Sequence, residues 1–134
     1  QNLPNVKIYN NRTYDIVKSS KVAVVVSGTA SLEVALLNVP QIVVYKTSYV
    51  TYLIAKMVLK IKYISLVNLI LSKSLVKEFI QQNFNFLLIS NEIVKIVDDN
   101  NYTNKIKKGY KELRNILGSG DPITQIASSI IKMG

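Results

Sequence analysis

A run of apolar, mostly β-branched residues that ends at a glycine constrains this fold more than any other stretch of the sequence. Residues 22–26 read Val-Ala-Val-Val-Val, which is typical of a parallel strand buried on both faces. Residues 27–29, Ser-Gly-Thr, interrupt the run, and helix formers follow over residues 30–38 until Pro40 stops them. A second apolar run occupies residues 41–45. This order predicts a right-handed βαβ unit with two parallel strands.

The rest of the sequence predicts short elements around this unit. In chain order we predict an edge strand at residues 6–8, a helix at 13–20, a helix at 47–60, a third parallel strand at 63–65, and helices at 75–82, 89–97, 103–117 and from 121. In the helix at 13–20 we expect Tyr14, Ile16 and Val17 to face inward. In the helix at 30–38 we expect Leu32, Ala35 and Leu36 to form the apolar stripe. The predicted fold class is α/β, a thin Rossmann-like parallel sheet with flanking helices. The last two helices have apolar faces for which the sequence offers no obvious partner.

The residue types that the chain lacks exclude several chemistries. Its 134 residues include no Cys, no His and no Trp. A disulfide framework, a thiol nucleophile, a histidine base and a Cys/His zinc site are therefore ruled out. We expect no metal, because only eight scattered carboxylates could bind one. We recognise no signal segment and no apolar run near the roughly 18 residues of a membrane span, so we expect a soluble domain, complete or cut from a longer chain.

The positive charge leaves three kinds of partner open. Seventeen Lys or Arg against eight Asp or Glu give a formal net charge of +9. Such a field attracts nucleic acid, an acidic membrane surface or a phosphorylated substrate. Residues 45–62 mix lysines with tyrosines and aliphatic residues, which is typical either of a membrane-surface segment or of a core helix. The lysines at 105, 107, 108 and 111 indicate a solvated helix face more than a nucleic-acid site.

The Ser-Gly-Thr turn is the candidate binding site. It lies where a parallel strand's carboxyl end meets a helix amino end, which is where open α/β sheets bind ligands. The first N–H groups of a helix lack internal partners and carry positive potential, so a phosphate fits there. Gly28 allows close approach of the backbone, and the hydroxyls of Ser27 and Thr29 can donate. Ordinary helix capping by Ser27 or Thr29 explains the same residues and stays an alternative.

Glu33 adds a reason to expect a nucleotide. It is the only acid between Asp15 and Glu78, and it stands one position beyond a capping-box glutamate if Thr29 is the N-cap. It is therefore free to point toward a ligand, where a carboxylate can accept both hydroxyls of a ribose. A surface acid favoured by the helix dipole is the alternative.

Several stretches carry a resemblance to a known family. They are Ser-Gly-Thr-Ala-Ser-Leu-Glu-Val-Ala-Leu-Leu-Asn-Val-Pro at 27–40, Val-Val-Tyr-Lys at 43–46, Lys-Tyr-Ile-Ser-Leu-Val-Asn-Leu-Ile at 62–70 and Val-Lys-Glu-Phe-Ile-Gln at 76–81. Together they resemble the lipid-A-disaccharide synthases. The first stretch is shared with other sugar-nucleotide transferases, whereas Tyr-Ile-Ser-Leu-x-Asn-Leu is more specific. The resemblance covers most of this chain and about the last third of a family member.

The resemblance implies a fold and an activity. Family members are GT-B glycosyltransferases with two Rossmann-like domains, and residues 1–134 resemble part of the carboxyl-terminal, UDP-binding domain, with helices from about 103 to 133. The family transfers diacylglucosamine from UDP-2,3-diacylglucosamine to 2,3-diacylglucosamine 1-phosphate in lipid A biosynthesis. The acceptor domain and the general base precede this segment in a member. The resemblance therefore implies a chain that binds UDP weakly, contains no catalytic residue and does not catalyse transfer alone.

The resemblance also implies the site residues. The donor-binding set is Ser27, Gly28, Thr29, Ala30, Glu33, Lys46, Asn68, Glu78 and Gln81. In this assignment the backbone of residues 27–30 holds the diphosphate and Glu33 holds the ribose. Asn68 contacts the sugar or the diphosphate, and Glu78 and Gln81 lie on a helix that faces the cleft between the domains.

The implied partners are the UDP-sugar donor, the lipid acceptor, the preceding domain and an anionic membrane surface, with a second copy of the chain as another way to cover the tail helices. Nucleic acid and cofactors are not implied. The implied location is cytoplasmic, peripheral on the inner face of the cytoplasmic membrane of a Gram-negative-type bacterium. Two alternatives stay open: another UDP-sugar transferase or epimerase of the same architecture, and a basic membrane-surface module.

Overall fold

The computed structural model describes residues 4–26, 28–48 and 62–118, in which helices and three strands alternate before two final helices. The elements are α1 Thr13–Ser19, β1 Ala23–Val26, α2 Thr29–Leu36, β2 Gln41–Tyr45, α3 Leu66–Leu71, β3 Lys77–Ile80, a 3₁₀ turn Gln81–Asn83, α4 Phe86–Asp98 and α5 Asn100–Gly118. The predicted α/β class is confirmed.

All three strands are parallel, in the order β1-β2-β3. Val26 pairs with Val44, and Tyr45 pairs with Ile80. Because parallel neighbours run in one direction, the three strands finish on the same side of the sheet. We call this side, where the chain leaves Val26, Tyr45 and Ile80, the carboxyl edge.

The predicted βαβ unit is confirmed, with one correction to its first strand. β2 is buried from Gln41 to Val44, as expected for a strand covered on both faces. β1 is not: Val24 and Val26 are 48% and 65% exposed, and burial alternates along the strand. The expectation of burial on both faces is wrong because β1 is an edge strand of the described sheet and only one of its faces is covered.

The third strand is parallel as predicted, but it lies elsewhere in the chain. Residues 63–65 form no strand, and the helix predicted at 75–82 is wrong, because residues 77–80 form β3. Glu78 therefore lies on a strand, and Gln81 begins the short 3₁₀ segment that follows it instead of lying on the predicted helix. The backbone N–H groups of Ile64 and Ser65 donate to the Glu78 carboxylate at 2.9 and 3.0 Å instead of pairing with a strand.

Asn68 explains why β3 begins where it does. Its side chain is fully buried, and its Oδ1 accepts from the backbone N–H groups of Leu75 and Val76 at 2.8 and 3.0 Å. Its Nδ2 donates to the Val76 carbonyl and to Glu78 Oε1, both at 2.8 Å. One amide thus joins α3 to the start of β3, and local residue preferences for a helix yield to this tertiary contact.

Other predicted details differ from the structure or cannot be compared with it. Residues 6–8 are irregular and exposed, so the predicted edge strand is wrong. α1 is present, but it buries no residue, and Tyr14 is exposed, as is Leu36 on α2. The helix predicted at 47–60 lies outside the described residues apart from Thr47 and Ser48, which are irregular, and the helix predicted from 121 lies outside them entirely.

The long helix α5 closes the core. Ile106, Tyr110 and Leu113 are almost fully buried, and α5 packs against α2, α3 and α4. The expectation that this helix lacks a partner is therefore wrong. Within the ranges that the structure describes, no helix combines the length and the apolar character that crossing a bilayer requires.

The difference in burial between β1 and β2 predicts that a valine-to-alanine substitution lowers the free energy of unfolding more in β2 than in β1. Val43→Ala in β2 removes methyl groups from a side chain that is 1% exposed, and we expect it to lower the free energy of unfolding by about 2 kcal/mol. Val26→Ala is the matched control and should cost less than about 0.5 kcal/mol because Val26 is mostly exposed. Urea unfolding measures both losses, and equal losses of free energy would contradict the burial of Val43 and the exposure of Val26.

The contacts of Asn68 predict a larger loss. Asn68→Ala leaves the partly buried N–H group of Leu75, the buried N–H group of Val76 and the Glu78 carboxylate without this partner, so we expect the free energy of unfolding to fall by about 3 kcal/mol. Asn101→Ala, which alters an exposed residue of α5, should change it by less than about 0.5 kcal/mol. Similar effects of the two substitutions in urea unfolding would show that Asn68 does not hold β3 in place.

Candidate functional site

The turn that follows β1 has a backbone conformation that favours glycine. Gly28 is the N-cap of α2, with φ 142° and ψ −159°. A Cβ built at this position would meet no atom within 4 Å. Steric crowding therefore does not account for a glycine here. The backbone angle does, and the space in front of the turn is open to a ligand.

The first turn of α2 contains backbone N–H groups that are available to donate hydrogen bonds to a ligand. Within the described residues, the backbone N–H groups of Gly28, Thr29 and Ala30 form no hydrogen bond, and no side chain caps the helix. The Gly28 carbonyl is by contrast satisfied, because the N–H and the hydroxyl of Ser31 donate to it at 3.3 and 2.9 Å. Thr29 lies inside the helix and is not its cap, and Ser27 lies outside the described residues. Three donors at a helix start form a favourable anion-binding arrangement.

Glu33 lies one helical turn beyond Thr29 on the same side of α2. It is exposed and forms no ion pair with any described residue. Together with Ala30 it lines a cleft of about 280 Å³ between α1, β1 and α2, whose walls include Val17 and Val24. The carboxylate therefore stands at a mostly apolar cleft beside the open N–H groups.

Strand register brings two other predicted residues to the carboxyl edge. Val26 pairs with Val44, and Gly28 and Lys46 each lie two residues beyond this pair. Gln81 follows Ile80, which pairs with Tyr45. Lys46 is exposed, with its Nζ 5.9 Å from the centre of the Phe84 ring. Gly28, Lys46 and Gln81 thus extend three neighbouring strands at one edge.

Gln81 uses its side chain to hold this edge together. It adopts a left-handed backbone conformation, with φ 51°, where β3 ends. Its Oε1 accepts from the backbone N–H of Thr47 at 2.8 Å, and its Nε2 donates to the Thr47 carbonyl at 3.1 Å. The amide thus pairs with the chain after β2 as a strand would.

Asn68 and Glu78 lie away from this edge. Glu78 pairs with Val43 in the middle of β2, and the amide of Asn68 is surrounded by protein. The structure does not bring their side chains to the turn. Within the described ranges, no group of three acidic side chains is arranged to hold a metal ion.

A buried polar cluster behind the turn was not anticipated from the sequence. Gln41 Nε2 donates to the Ser31 carbonyl at 2.8 Å and to the Tyr110 hydroxyl at 3.2 Å, and all three residues are fully buried. Burial raises the pKa of the Tyr110 phenol above its ordinary value, so this hydroxyl stays neutral. The one signal in the sequence is a polar residue at the head of an apolar strand, directly after Pro40.

Comparisons with known proteins relate this chain to one family. The family profile of lipid-A-disaccharide synthetase matches residues 1–126. The lipid-A-disaccharide synthase of Syntrophus aciditrophicus is 41% identical over 115 residues, which are 86% of this chain and 30% of that protein. The synthase of Sulfurihydrogenibium sp. is 35% identical over 132 residues, 98% of this chain and 33% of that protein. The synthase of Aquifex aeolicus is 37% identical over 111 residues, 83% of this chain and 28% of that protein.

The chain spans about a third of the length of the curated relatives that it matches. The matched residues include the turn, Glu33 and all three strands. Since the profile covers nearly the whole sequence, this chain belongs to the lipid-A-disaccharide synthetase family.

Proposed function

We propose that this chain forms the donor-binding part of a lipid-A-disaccharide synthase. The donor is UDP-2,3-diacylglucosamine, and the acceptor is 2,3-diacylglucosamine 1-phosphate. The observation that carries the proposal is the set of N–H groups at Gly28, Thr29 and Ala30, which have no hydrogen bond among the described residues and stand beside Glu33 at the carboxyl edge. A family whose members are named for joining sugars needs such a place for a nucleotide-linked donor.

The diphosphate binds at the start of α2. Its negative oxygens accept from the N–H groups of residues 28–30, where the helix dipole adds positive potential. Ser27, which lies outside the described residues, stays part of this proposal. Lys46 at the same edge adds a positive charge. As the bond between the sugar and UDP breaks, negative charge grows on the leaving diphosphate, and these groups stabilise it.

The ribose binds at Glu33. An ionised carboxylate is an acceptor and can take hydrogen bonds from both ribose hydroxyls. Glu33 stands one helical turn from the proposed diphosphate site, and it has no ion-pair partner in the described part of the chain that would compete for it. The mostly apolar cleft beside it offers room for the rest of the nucleoside.

We assign Asn68, Glu78 and Gln81 to the donor site through the backbone that they hold. The side-chain amides of Asn68 and Gln81 already bind backbone groups of the protein. The Glu78 carboxylate accepts from two backbone N–H groups and from Asn68. These contacts place β3 and the chain after β2, so the three residues support the site without reaching the turn.

Transfer also requires a base. The acceptor hydroxyl forms a bond to the sugar's anomeric carbon, the bond from that carbon to UDP breaks, and the hydroxyl proton passes to a general base. We place that base in the part of the family's full-length proteins that this chain does not span. This chain then supplies donor binding and leaving-group stabilisation, and transfer needs the remainder of the enzyme. Independence from metals and cofactors stays part of the proposal.

The lipid partners are proposed to lie near the start of α4. Phe86 and Leu87 are 79% and 68% exposed there, Leu88 is partly exposed, and Phe84 stacks edge-on against Phe86. Lys46 over Phe84 adds positive charge beside these apolar side chains, a combination that suits acyl chains and an anionic membrane surface. The sequence leaves open whether residues 45–62 form a membrane-surface segment or a core helix, and residues 49–61 of that stretch lie outside the described residues. A peripheral position on the inner face of the cytoplasmic membrane remains a proposal, as does pairing with a second copy.

Replacing Glu33 tests the ribose assignment. Glu33→Ala should weaken UDP binding about tenfold, near 1.4 kcal/mol, because the hydrogen bonds to the ribose are lost. Binding of inorganic pyrophosphate, which has no ribose, should be unchanged. Titration of each ligand into ¹⁵N-labelled protein, followed by amide shifts, measures both affinities.

The control is Glu112→Ala, which removes the same charge from an acid on α5 that pairs with Lys73. It should leave both affinities unchanged. Equal losses for UDP and pyrophosphate in Glu33→Ala would remove the ribose role. Shifts confined to the lysines of α5, with none at residues 28–33, would overturn the donor site itself.

Adding the rest of the enzyme tests whether this chain binds the donor while the general base lies elsewhere in the full-length protein. We expect no UDP release when this chain alone meets donor and acceptor, because it has no base for the acceptor hydroxyl. Adding the amino-terminal two thirds of the Syntrophus aciditrophicus synthase as a second polypeptide should produce UDP release, and Glu33→Ala should lower it. Release by this chain alone at the same rate would contradict the proposal.

A further inference from the structure

A line of hydrogen bonds connects the turn after β1 with α5 through the interior. The Ser31 hydroxyl donates to the Gly28 carbonyl at 2.9 Å, and Gln41 Nε2 donates to the Ser31 carbonyl at 2.8 Å. The same Nε2 donates to the Tyr110 hydroxyl at 3.2 Å. Ser31, Gln41 and Tyr110 are each 0% exposed, so the line is buried from Ser31 to Tyr110 and reaches the surface only at Gly28.

The hydrogen bonds of this line hold the carbonyl oxygens in the first turn of α2. Ser31 satisfies the Gly28 carbonyl twice, through its N–H and its hydroxyl. The Ser31 carbonyl accepts from Gln41 in addition to the helical bond expected from Ala35. With the carbonyl oxygens held from inside, the N–H groups of Thr29 and Ala30 keep a fixed direction on the other side of the turn.

Stability alone does not account for Gln41 at this position. Its Oε1 is buried and has no hydrogen-bond partner among the described residues. A buried amide oxygen without a partner costs free energy. A methionine of similar length would remove that cost, but it would leave the buried Tyr110 hydroxyl without the partner that it has in Gln41. What Met cannot do is hold the Ser31 carbonyl and the Tyr110 hydroxyl together.

We propose that Gln41 and Tyr110 are positioning residues that orient the first turn of α2 for binding a diphosphate. Gln41 acts directly on Ser31, and Tyr110 acts through Gln41 by holding its amide in place. This inference rests on the proposed function, because the turn is the proposed diphosphate site. It adds two residues that no part of the donor-site assignment contains, one of them on the helix furthest along the described chain.

The test begins with the free protein, so that it does not depend on UDP. In Gln41→Met we expect the amide shifts of residues 28–31 to move. Hydrogen exchange at Glu33, Val34 and Ala35, whose helical acceptors lie in the first turn, should become at least tenfold faster. Exchange at Leu113 in the core of α5 should not change. The urea midpoint of unfolding should change little, because the variant removes the unpartnered Gln41 oxygen while the Tyr110 hydroxyl loses a partner.

Two tyrosine variants on α5 form a matched pair. Tyr110→Phe should affect the same α2 amides in the same direction but less than Gln41→Met, because it removes only the support of the amide. Tyr102→Phe removes a hydroxyl that binds Glu92 on α4 and should leave α2 unchanged. The double variant Gln41→Met with Tyr110→Phe should match Gln41→Met alone, since Tyr110 acts through Gln41.

UDP and pyrophosphate titrations then connect the turn with binding. Both ligands should bind Gln41→Met about tenfold more weakly, because the variant disturbs the diphosphate contacts and not the ribose contact. Unchanged exchange at residues 33–35 in Gln41→Met would overturn the inference, as would a lower urea midpoint with faster exchange throughout the core. If the effects of Gln41→Met and Tyr110→Phe on exchange at residues 33–35 add in the double variant, the proposed role of Tyr110 is overturned. If the unaltered protein binds neither ligand, the proposed function fails, and the exchange rates of the free protein still decide whether Gln41 and Tyr110 position the turn.

Discussion

Parallel pairing on both sides of β2 is the constraint on which the rest of this structure depends. Neighbouring parallel strands cannot be joined by a tight hairpin, so the chain crosses over between them, and α2 and α3 lie in these crossovers. The same pairing makes all three strands finish at one edge. Gly28, Lys46 and Gln81 are distant in sequence and become neighbours there for this reason alone. The candidate site is therefore a consequence of strand direction before it is a consequence of any side chain.

Local patterns were sufficient for the first two strands and misleading for the third. β1, α2 and β2 form from residues whose own preferences agree with the fold, including the glycine at position 28 and the proline at 40. β3 contains Lys77 and Glu78, whose charges make it resemble an exposed helix, and it becomes a strand because β2 and Asn68 hold it in that conformation. Residues 63–65 resemble a strand, but Glu78 takes the N–H groups of Ile64 and Ser65.

Part of the candidate site could likewise be predicted from local sequence patterns, and part of it could not. The turn and Glu33 could be predicted because a strand, a glycine and a helix start are all visible within a few residues of one another. The hydrogen bond between Gln41 and Tyr110 joins residues 69 positions apart. The sequence shows only that Gln41 is a polar residue at the head of an apolar strand, and it does not indicate Tyr110 as the partner. Buried polar contacts of this kind depend on how helices pack, which sequence periodicity describes only as an apolar face. The exposure of β1 also escaped prediction, because a β-branched run does not reveal whether a second layer covers it.

The uncovered side of β1 bears on how the chain behaves at high concentration. Val24 and Val26 are exposed, and no strand pairs with the outer edge of β1 within the described residues. Residues 23–26 contain no lysine and no proline, the usual protections of such an edge. Two copies that meet there would extend the sheet across both molecules and bury their valines together. This edge is thus where we expect copies of the polypeptide to associate at high concentration.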